Sequence, residues 1–118
     1  MGGKEHVLVV DDDSSLRLLC RVNLELDGFR VSEAATLAEA RAAVAAQPVS
    51  AVLLDVHVGR ESGLDLLDEL KAQPRRLPVV LLTGESGLPP EARGRADAVL
   101  AKPFEIRQLA ATISQVRG

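Results

Sequence analysis

The sequence predicts an α/β fold: a doubly wound, five-stranded parallel sheet in (βα)5 order, with helices on both faces as a three-layer sandwich. Three observations carry that expectation. Short apolar runs rich in Val and Leu recur along the chain and end in polar residues, and a run without alternation belongs to a strand buried on both faces, as in parallel sheets. Between the runs lie stretches with apolar residues at helical spacing, and strand-helix-strand repeats with right-handed crossovers build a parallel sheet. The chain has 118 residues and is 47% hydrophobic, which is enough for one domain with a full core and too little for two. Residues 1–118 therefore make a single domain.

The first strand is His6-Val7-Leu8-Val9-Val10, ended by Asp11, Asp12 and Asp13. Leu16, Leu19, Cys20 and Leu24 then mark one face of a helix over residues 14–27, stopped by Gly28, the residue type favoured just past a helix C-terminus. Residues 29–33 alternate as a second strand. Thr36-Leu37-Ala38-Glu39 is a capping box, and the alanine-rich helix it opens carries Leu37, Ala40 and Val44 on one face until Gln47-Pro48. Ala51-Val52-Leu53-Leu54-Asp55 repeats the pattern of the first strand and again closes on an aspartate. After a glycine-containing loop, Ser62 caps a helix bearing Leu66, Leu67 and Leu70, closed by Pro74. Residues 78–83 form the fourth strand and 98–102 the fifth. Between these two, Gly87, Pro89-Pro90 and Gly94 leave room only for a short helix that begins near the prolines. Ile106, Leu109, Ala110, Ile113 and Val116 give the last helix its apolar stripe.

Composition narrows the function. Fourteen Lys and Arg against seventeen Asp and Glu leave a formal charge of −3. The longest basic cluster is Arg75-Arg76, which argues against direct nucleic acid binding by this domain. Two Phe, with no Tyr or Trp, supply no base-stacking surface. The single Cys20 excludes an internal disulfide, and with only His6 and His57 beside it no structural zinc site can be assembled. No apolar run is long enough to span a bilayer and the first residues carry no apolar signal segment, so a cytoplasmic protein without membrane contact is expected.

Ligands of a doubly wound sheet bind outside the carboxyl ends of its strands, where the winding reverses. Asp11, Asp12 and Asp13 leave the first strand, Asp55 ends the third, Thr83 the fourth and Lys102 the fifth, so residues far apart in sequence share that edge. Carboxylates crowded there repel one another unless a hard cation compensates. Mg2+ suits an all-oxygen set of one or two carboxylates, a main-chain carbonyl and waters. Lys102 offers a positive point charge and Thr83 a hydroxyl donor, both matched to the oxygens of a phosphoryl group in transfer. Asp55 is then placed to be the nucleophile.

Val9-Val10-Asp11-Asp12, Leu54-Asp55, Leu82-Thr83-Gly84 and Lys102-Pro103-Phe104 resemble the motifs of receiver domains of bacterial two-component response regulators, and the similarity covers essentially the whole chain. The resemblance implies a flavodoxin-like fold and a phosphorylation-dependent switch of a phosphorelay. Such a domain is not an enzyme: it catalyses only its own phosphotransfer and autodephosphorylation. Asp55 would accept the phosphoryl group from the phosphohistidine of a sensor histidine kinase or a phosphotransfer protein. Asp12 and Asp55 would bind Mg2+, Asp11 would do so mainly through water, and the main-chain carbonyl of His57 would complete the protein ligands. Thr83 and Lys102 would hold the phosphoryl oxygens, and the Lys102-Pro103 bond is expected to be cis. No effector domain follows the last helix in these residues, so the output lies either in trans or in cis within a longer protein.

Three departures from the family pattern add expectations. Val99 stands where Tyr or Phe is usual, so switching is expected to order residues 84–94 instead of rotating a ring. Gly59 stands where a proline is common, which predicts a more mobile loop, while Gly63 matches a family glycine. The stretch between Thr83 and Lys102 is short, which truncates the fourth helix.

The remaining residues have plainer readings. Asp13 suits a helix cap better than a third metal ligand, Cys20 is a small core residue, and the His57 ring is a solvated loop side chain. Arg75-Arg76 reads as a solvated loop, and His6 carries no functional signal. Leu18, Val22 and Leu26 form a second stripe on the first helix, either packed on a neighbouring helix or serving as a docking surface. The last helix turns Arg107, Gln108, Thr112 and Gln115 outward, so a homodimer is not strongly encoded. Two other functions compete. A haloacid-dehalogenase-like phosphatase, with Asp11 attacking and Asp13 as the acid, wants Thr or Val where Ser15 stands. A pseudo-receiver that has lost phosphorylation conflicts with the intact set Asp11, Asp12, Asp55, Thr83 and Lys102.

Overall fold

The computed structural model describes residues 5–84 and 90–117. In chain order it contains β1 (His6–Val10), α1 (Ser14–Leu26), β2 (Arg30–Ala34), α2 (Leu37–Ala46) and β3 (Ala51–Asp55). The short strands β4 (His57–Val58) and β5 (Glu61–Ser62) follow, then α3 (Gly63–Lys71), β6 (Val79–Thr83), α4 (Pro90–Arg95), β7 (Ala98–Ala101) and α5 (Arg107–Arg117). The main sheet is parallel, in the order β2-β1-β3-β6-β7. From β1 the chain winds outward to β2; from β3 it winds the other way to β6 and β7. The reversal lies between the carboxyl ends of β1 and β3, where Asp11 and Asp55 stand.

The unalternating apolar runs fold as expected because both faces of the sheet are covered. Alternate residues of the central strands go to opposite layers. Leu8, Val10, Val52, Leu54, Val79 and Leu81 meet Leu37, Ala40, Leu66, Leu67, Leu70 and Ala92 from α2, α3 and α4. Val7, Val9, Ala51, Leu53, Val80 and Leu82 meet Cys20, Leu24, Leu109, Ile113 and Val116 from α1 and α5. Each fully buried Leu of these layers contributes about 1.5–3 kcal/mol of transfer free energy. Val99 is half-buried, lies in register with Leu81, and packs with the first of these layers.

The helix starts are locally specified. Asp13 caps α1, its carboxylate accepting from Ser15 N at 2.9 Å and Leu16 N at 3.3 Å. Thr36 caps α2 by accepting from Glu39 N at 3.0 Å, but Glu39 reaches back to Ala35 N at 2.7 Å, one residue before the cap. Ser62 accepts from Leu64 N at 3.2 Å and starts α3.

The structure corrects the reading of Leu19 and bears on three other expectations. Leu19 is 50% exposed and not a core residue, since it lies about 100° from the centre of the Leu16, Cys20 and Leu24 stripe and α1 faces one sheet layer. Leu18, Val22 and Leu26 are exposed as well, and among the described residues no neighbouring helix covers the second stripe. Gly59, with φ +62°, is the first of two residues linking the paired strands β4 and β5, the place where a type II′ turn takes glycine. Arg75 and Arg76 are exposed in a loop, as expected, and their guanidinium groups also donate to main-chain carbonyls, Arg75 to Val49 O at 2.6 Å and Arg76 to Val116 O at 3.1 Å. The segment 84–94 includes residues 85–89, which lie outside the described residues. Its last residues begin α4, a six-residue helix from Pro90 to Arg95, as short as expected.

Candidate functional site

β1 delivers Asp11 and Asp12 to the edge at which β3 delivers Asp55, and one carboxylate oxygen from each lies within 4.8 Å of the others. Asp11 and Asp55 are buried while Asp12 is exposed, so the cluster has two walled carboxylates and one facing water. Thr83, 2% exposed, ends the neighbouring strand β6, and its carbonyl accepts from Lys102 N at 2.7 Å. That bond sets Lys102 as the next rung beyond β7. Its ammonium turns inward and donates to Asp55 Oδ2 at 2.9 Å and to Asp11 Oδ2 at 3.2 Å. The Lys102-Pro103 peptide bond is cis.

The remaining carboxylate oxygens of the buried pair meet backbone donors. Asp11 Oδ1 accepts from Asp13 N at 2.9 Å and Asp55 Oδ1 from His57 N at 3.2 Å. Burial pushes the Asp11 carboxyl up to about 6, the Asp55 charge adds to the rise, and the Asp13 N–H and Lys102 oppose it. Burial also works against the Lys102 charge, but the two carboxylates outweigh it and its pKa is raised. Cys20, behind the site, is fully buried and its thiol is pushed up to about 11 by that burial, as befits a core residue.

These donors fit a hard cation. All three side chains offer carboxylate oxygen, the preferred ligand of Mg2+, and one is open to solvent, where a hydrated ion keeps its waters. The pair Asp11 and Asp55 already draws a cation, since the Lys102 ammonium lies between them.

Gly63 holds the site from behind. It donates from its backbone N to Val56 O at 2.6 Å, and a Cβ built on it would lie 2.0 Å from the Asp55 carbonyl oxygen. Only glycine lets α3 pack this close to the residue that ends β3. His57 lies on β4 with an exposed side chain, beside the site as expected. A groove of about 280 Å3 borders the cluster, lined by Asp13, Leu16, Leu19, Lys102, Pro103 and Phe104. A wider depression of about 550 Å3, between Phe29 and Ser114, holds none of the site residues.

Sequence reasoning passed over two residues. His6 is buried, its ring bonded to Ser32 Oγ at 2.7 Å and Pro48 O at 3.1 Å, so it joins β1, β2 and the turn before β3. Arg17 reaches back from α1 to the carbonyl of Asp11 at 2.7 Å. The sequence offers only a hint, a basic side chain in the first turns of a helix that opposes the macrodipole, and nothing that names the carbonyl it reaches.

A five-stranded doubly wound sheet, with an acidic cluster and a lysine at its winding reversal, defines an α/β domain built to handle a phosphoryl group and a divalent cation. The sequence profile of the response regulator receiver domain matches residues 7–114, and the chain belongs to that family. It is a receiver domain of two-component signalling, a class phosphorylated on an aspartate and binding Mg2+ at an acidic cluster. The chain is 34% identical over 113 residues to the uncharacterized transcriptional regulatory protein YkoG of Bacillus subtilis, covering 93% of this chain and 50% of that protein. It therefore spans about half the length of that relative. A CheY-like receiver domain from Methylobacillus flagellatus superposes with a TM-score of 0.87 at 26% identity, covering 97% of this chain and 99% of that one. The response regulator TrrA of Thermotoga maritima, solved in complex with Mg2+-BeF, gives a TM-score of 0.86 at 25% identity, covering 95% of this chain and 98% of that one.

Proposed function

We propose that Asp55 is the phosphoacceptor of this receiver domain and that Asp11, Asp12, Asp55 and the His57 main-chain carbonyl serve a Mg2+ ion. The observation that carries the reading is the Lys102 ammonium on Asp55 at 2.9 Å, with the Asp11 and Asp12 carboxylates beside it. An Asp55 carboxylate oxygen attacks phosphorus, the bond to the phosphohistidine nitrogen breaks, and the imidazole leaves. Lys102 follows the charge onto the phosphoryl oxygens while Thr83 donates its hydroxyl to another. Bound Mg2+ would screen the phosphoryl and carboxylate charges from one another.

The domain accepts its phosphoryl group from a sensor histidine kinase or phosphotransfer protein in the cytoplasm. It acts as a switch and not as an enzyme on other substrates. Docking is supported by the exposed Leu18, Leu19 and Val22 of α1, of which Leu19 lines the groove beside Lys102. Output passes to an effector, in cis within a longer chain or in trans. Among the described residues no helix is long and apolar enough to cross a membrane.

Acetyl phosphate with Mg2+, followed by intact-mass spectrometry, tests the assignment. One added phosphoryl group is expected, and none in Asp55→Ala. Label persisting in that variant would sink the assignment, continuous turnover would indicate a phosphatase, and no label at all a pseudo-receiver.

A further inference from the structure

We propose that Arg17 is a positioning residue of the acidic site, holding the peptide between Asp11 and Asp12 so that the exposed Asp12 carboxylate is presented to the cation. The inference rests on the cation-site reading above. Arg17 lies one turn into α1, and its side chain turns back toward the helix start, where Nη1 donates to Asp11 O at 2.7 Å. The backbone N of Asp11 donates to Ala34 O at 3.1 Å, and the Asp11 carboxylate meets Asp13 N and Lys102. Asp11 is thus gripped at its amide, its side chain and its carbonyl, and the last grip is Arg17. Asp12 is the next residue along that anchored peptide.

Arg17 is itself fixed. Its side chain is 15% exposed, and its Nε meets Glu33 Oε1 at 3.1 Å. The other oxygen of Glu33 takes Arg21 Nη1 at 3.2 Å. β2 aligns Glu33 with Val9, two residues before Asp11, so the pair spans the same end of the sheet as the acidic cluster. Partners that orient ligands from behind commonly change metal affinity 10–100-fold when removed.

The sign of the effect separates positioning from plain electrostatics. Arg17 is a positive charge close to a cation site, so by Coulomb's law alone its removal strengthens cation binding. Loss of positioning weakens it. Arg21→Met removes the same charge from the same helix and from Glu33, while leaving the bond to Asp11 O in place, and serves as the control.

Mg2+ titrated by calorimetry into the folded proteins reads the difference, with circular dichroism confirming the fold. Arg17→Met is expected to bind Mg2+ about 10-fold more weakly than wild type, and Arg21→Met to bind as well as wild type or slightly better. Should Arg17→Met fail to fold, Arg17→Gln is held to the same expectation. Unchanged or tighter binding in the Arg17 variant, or equal weakening in Arg21→Met, overturns the inference and leaves the cation site standing. Failure of the wild-type protein to bind Mg2+ overturns both.

Discussion

Replacing Gly63 with alanine puts a carbon where the Asp55 carbonyl already is. The new Cβ would lie 2.0 Å from Asp55 O, 3.1 Å from Asp55 C and 3.3 Å from Leu54 Cδ1. Unstrained carbon–oxygen contact begins near ~3.3 Å, so α3 and the end of β3 must part by about 1.3 Å. The 2.6 Å bond from Gly63 N to Val56 O and the buried Leu66 and Leu67 of α3 resist that movement. Overpacking of this kind costs about 1–3 kcal/mol, which lowers Tm by several degrees in a domain of this size. The displaced residue is Asp55, the proposed phosphoacceptor, and a misplacement of ~1 Å at a reacting group can cost about 10²-fold in rate. Urea unfolding in EDTA reads the first effect; the rate of labelling by phosphoramidate with Mg2+, followed by mass spectrometry, reads the second. Gly94→Ala is the control, because a Cβ there meets nothing within 4 Å and a helical glycine gains about 0.5–1 kcal/mol from the change. A Gly63→Ala protein as stable as wild type and labelled at the wild-type rate would refute the reasoning.

Three further outcomes are expected. The folded Asp11 carboxyl is pushed up to about 6 against 3.8 for an ordinary one, so its own contribution to metal-free stability is full below about 4 and is lost as pH rises through 6. Asp11→Asn removes that slope and stabilises the metal-free protein at pH 7.5 by of the order of 1–3 kcal/mol; equal pH dependence of urea midpoints in the two proteins would contradict it. On α1, Leu24→Ala should cost about 2–5 kcal/mol and Leu26→Ala less than about 0.5, because Leu24 is fully buried and Leu26 is 80% exposed; thermal melts of similar midpoint for both would count against the packing described. His6→Ala should cost about 1–3 kcal/mol by stranding Ser32 Oγ and Pro48 O, and a melt unchanged from wild type would show that water replaces the ring.

The sheet and the site were legible for the same reason: a parallel sheet covered on both faces writes itself as apolar runs, and the polar residues that interrupt them mark the functional edge. Asp11, Asp12, Asp55, Thr83 and Lys102 all meet where those runs end. Contacts that depend on reach were not legible. The spacing of Leu19 fits a helix face, but the width of the buried stripe is set by how α1 seats on the sheet, which leaves Leu19 half outside. Arg17 and His6 act through main-chain carbonyls, Asp11 O and Pro48 O, and a carbonyl has no letter in a sequence. The hairpin at Gly59 was not legible either, because freedom at one residue is also what a tight turn demands, and only pairing across β4 and β5 reveals the turn.

The ion pairs of Lys102 join the two ends of the chain. Its ammonium meets Asp11 across 91 positions and Asp55 across 47, and it hangs from β7, the outermost strand of the sheet. Acidic residues made early in synthesis therefore wait for a lysine made late. Closing so long a loop needs the edge strand in place, a non-local contact of the intrinsically slow kind. A nascent chain, or a mature one whose edge has peeled away, keeps its carboxylates but lacks the charge that completes them. Until β7 is docked, Asp55 stands without the ammonium that faces it in the folded domain.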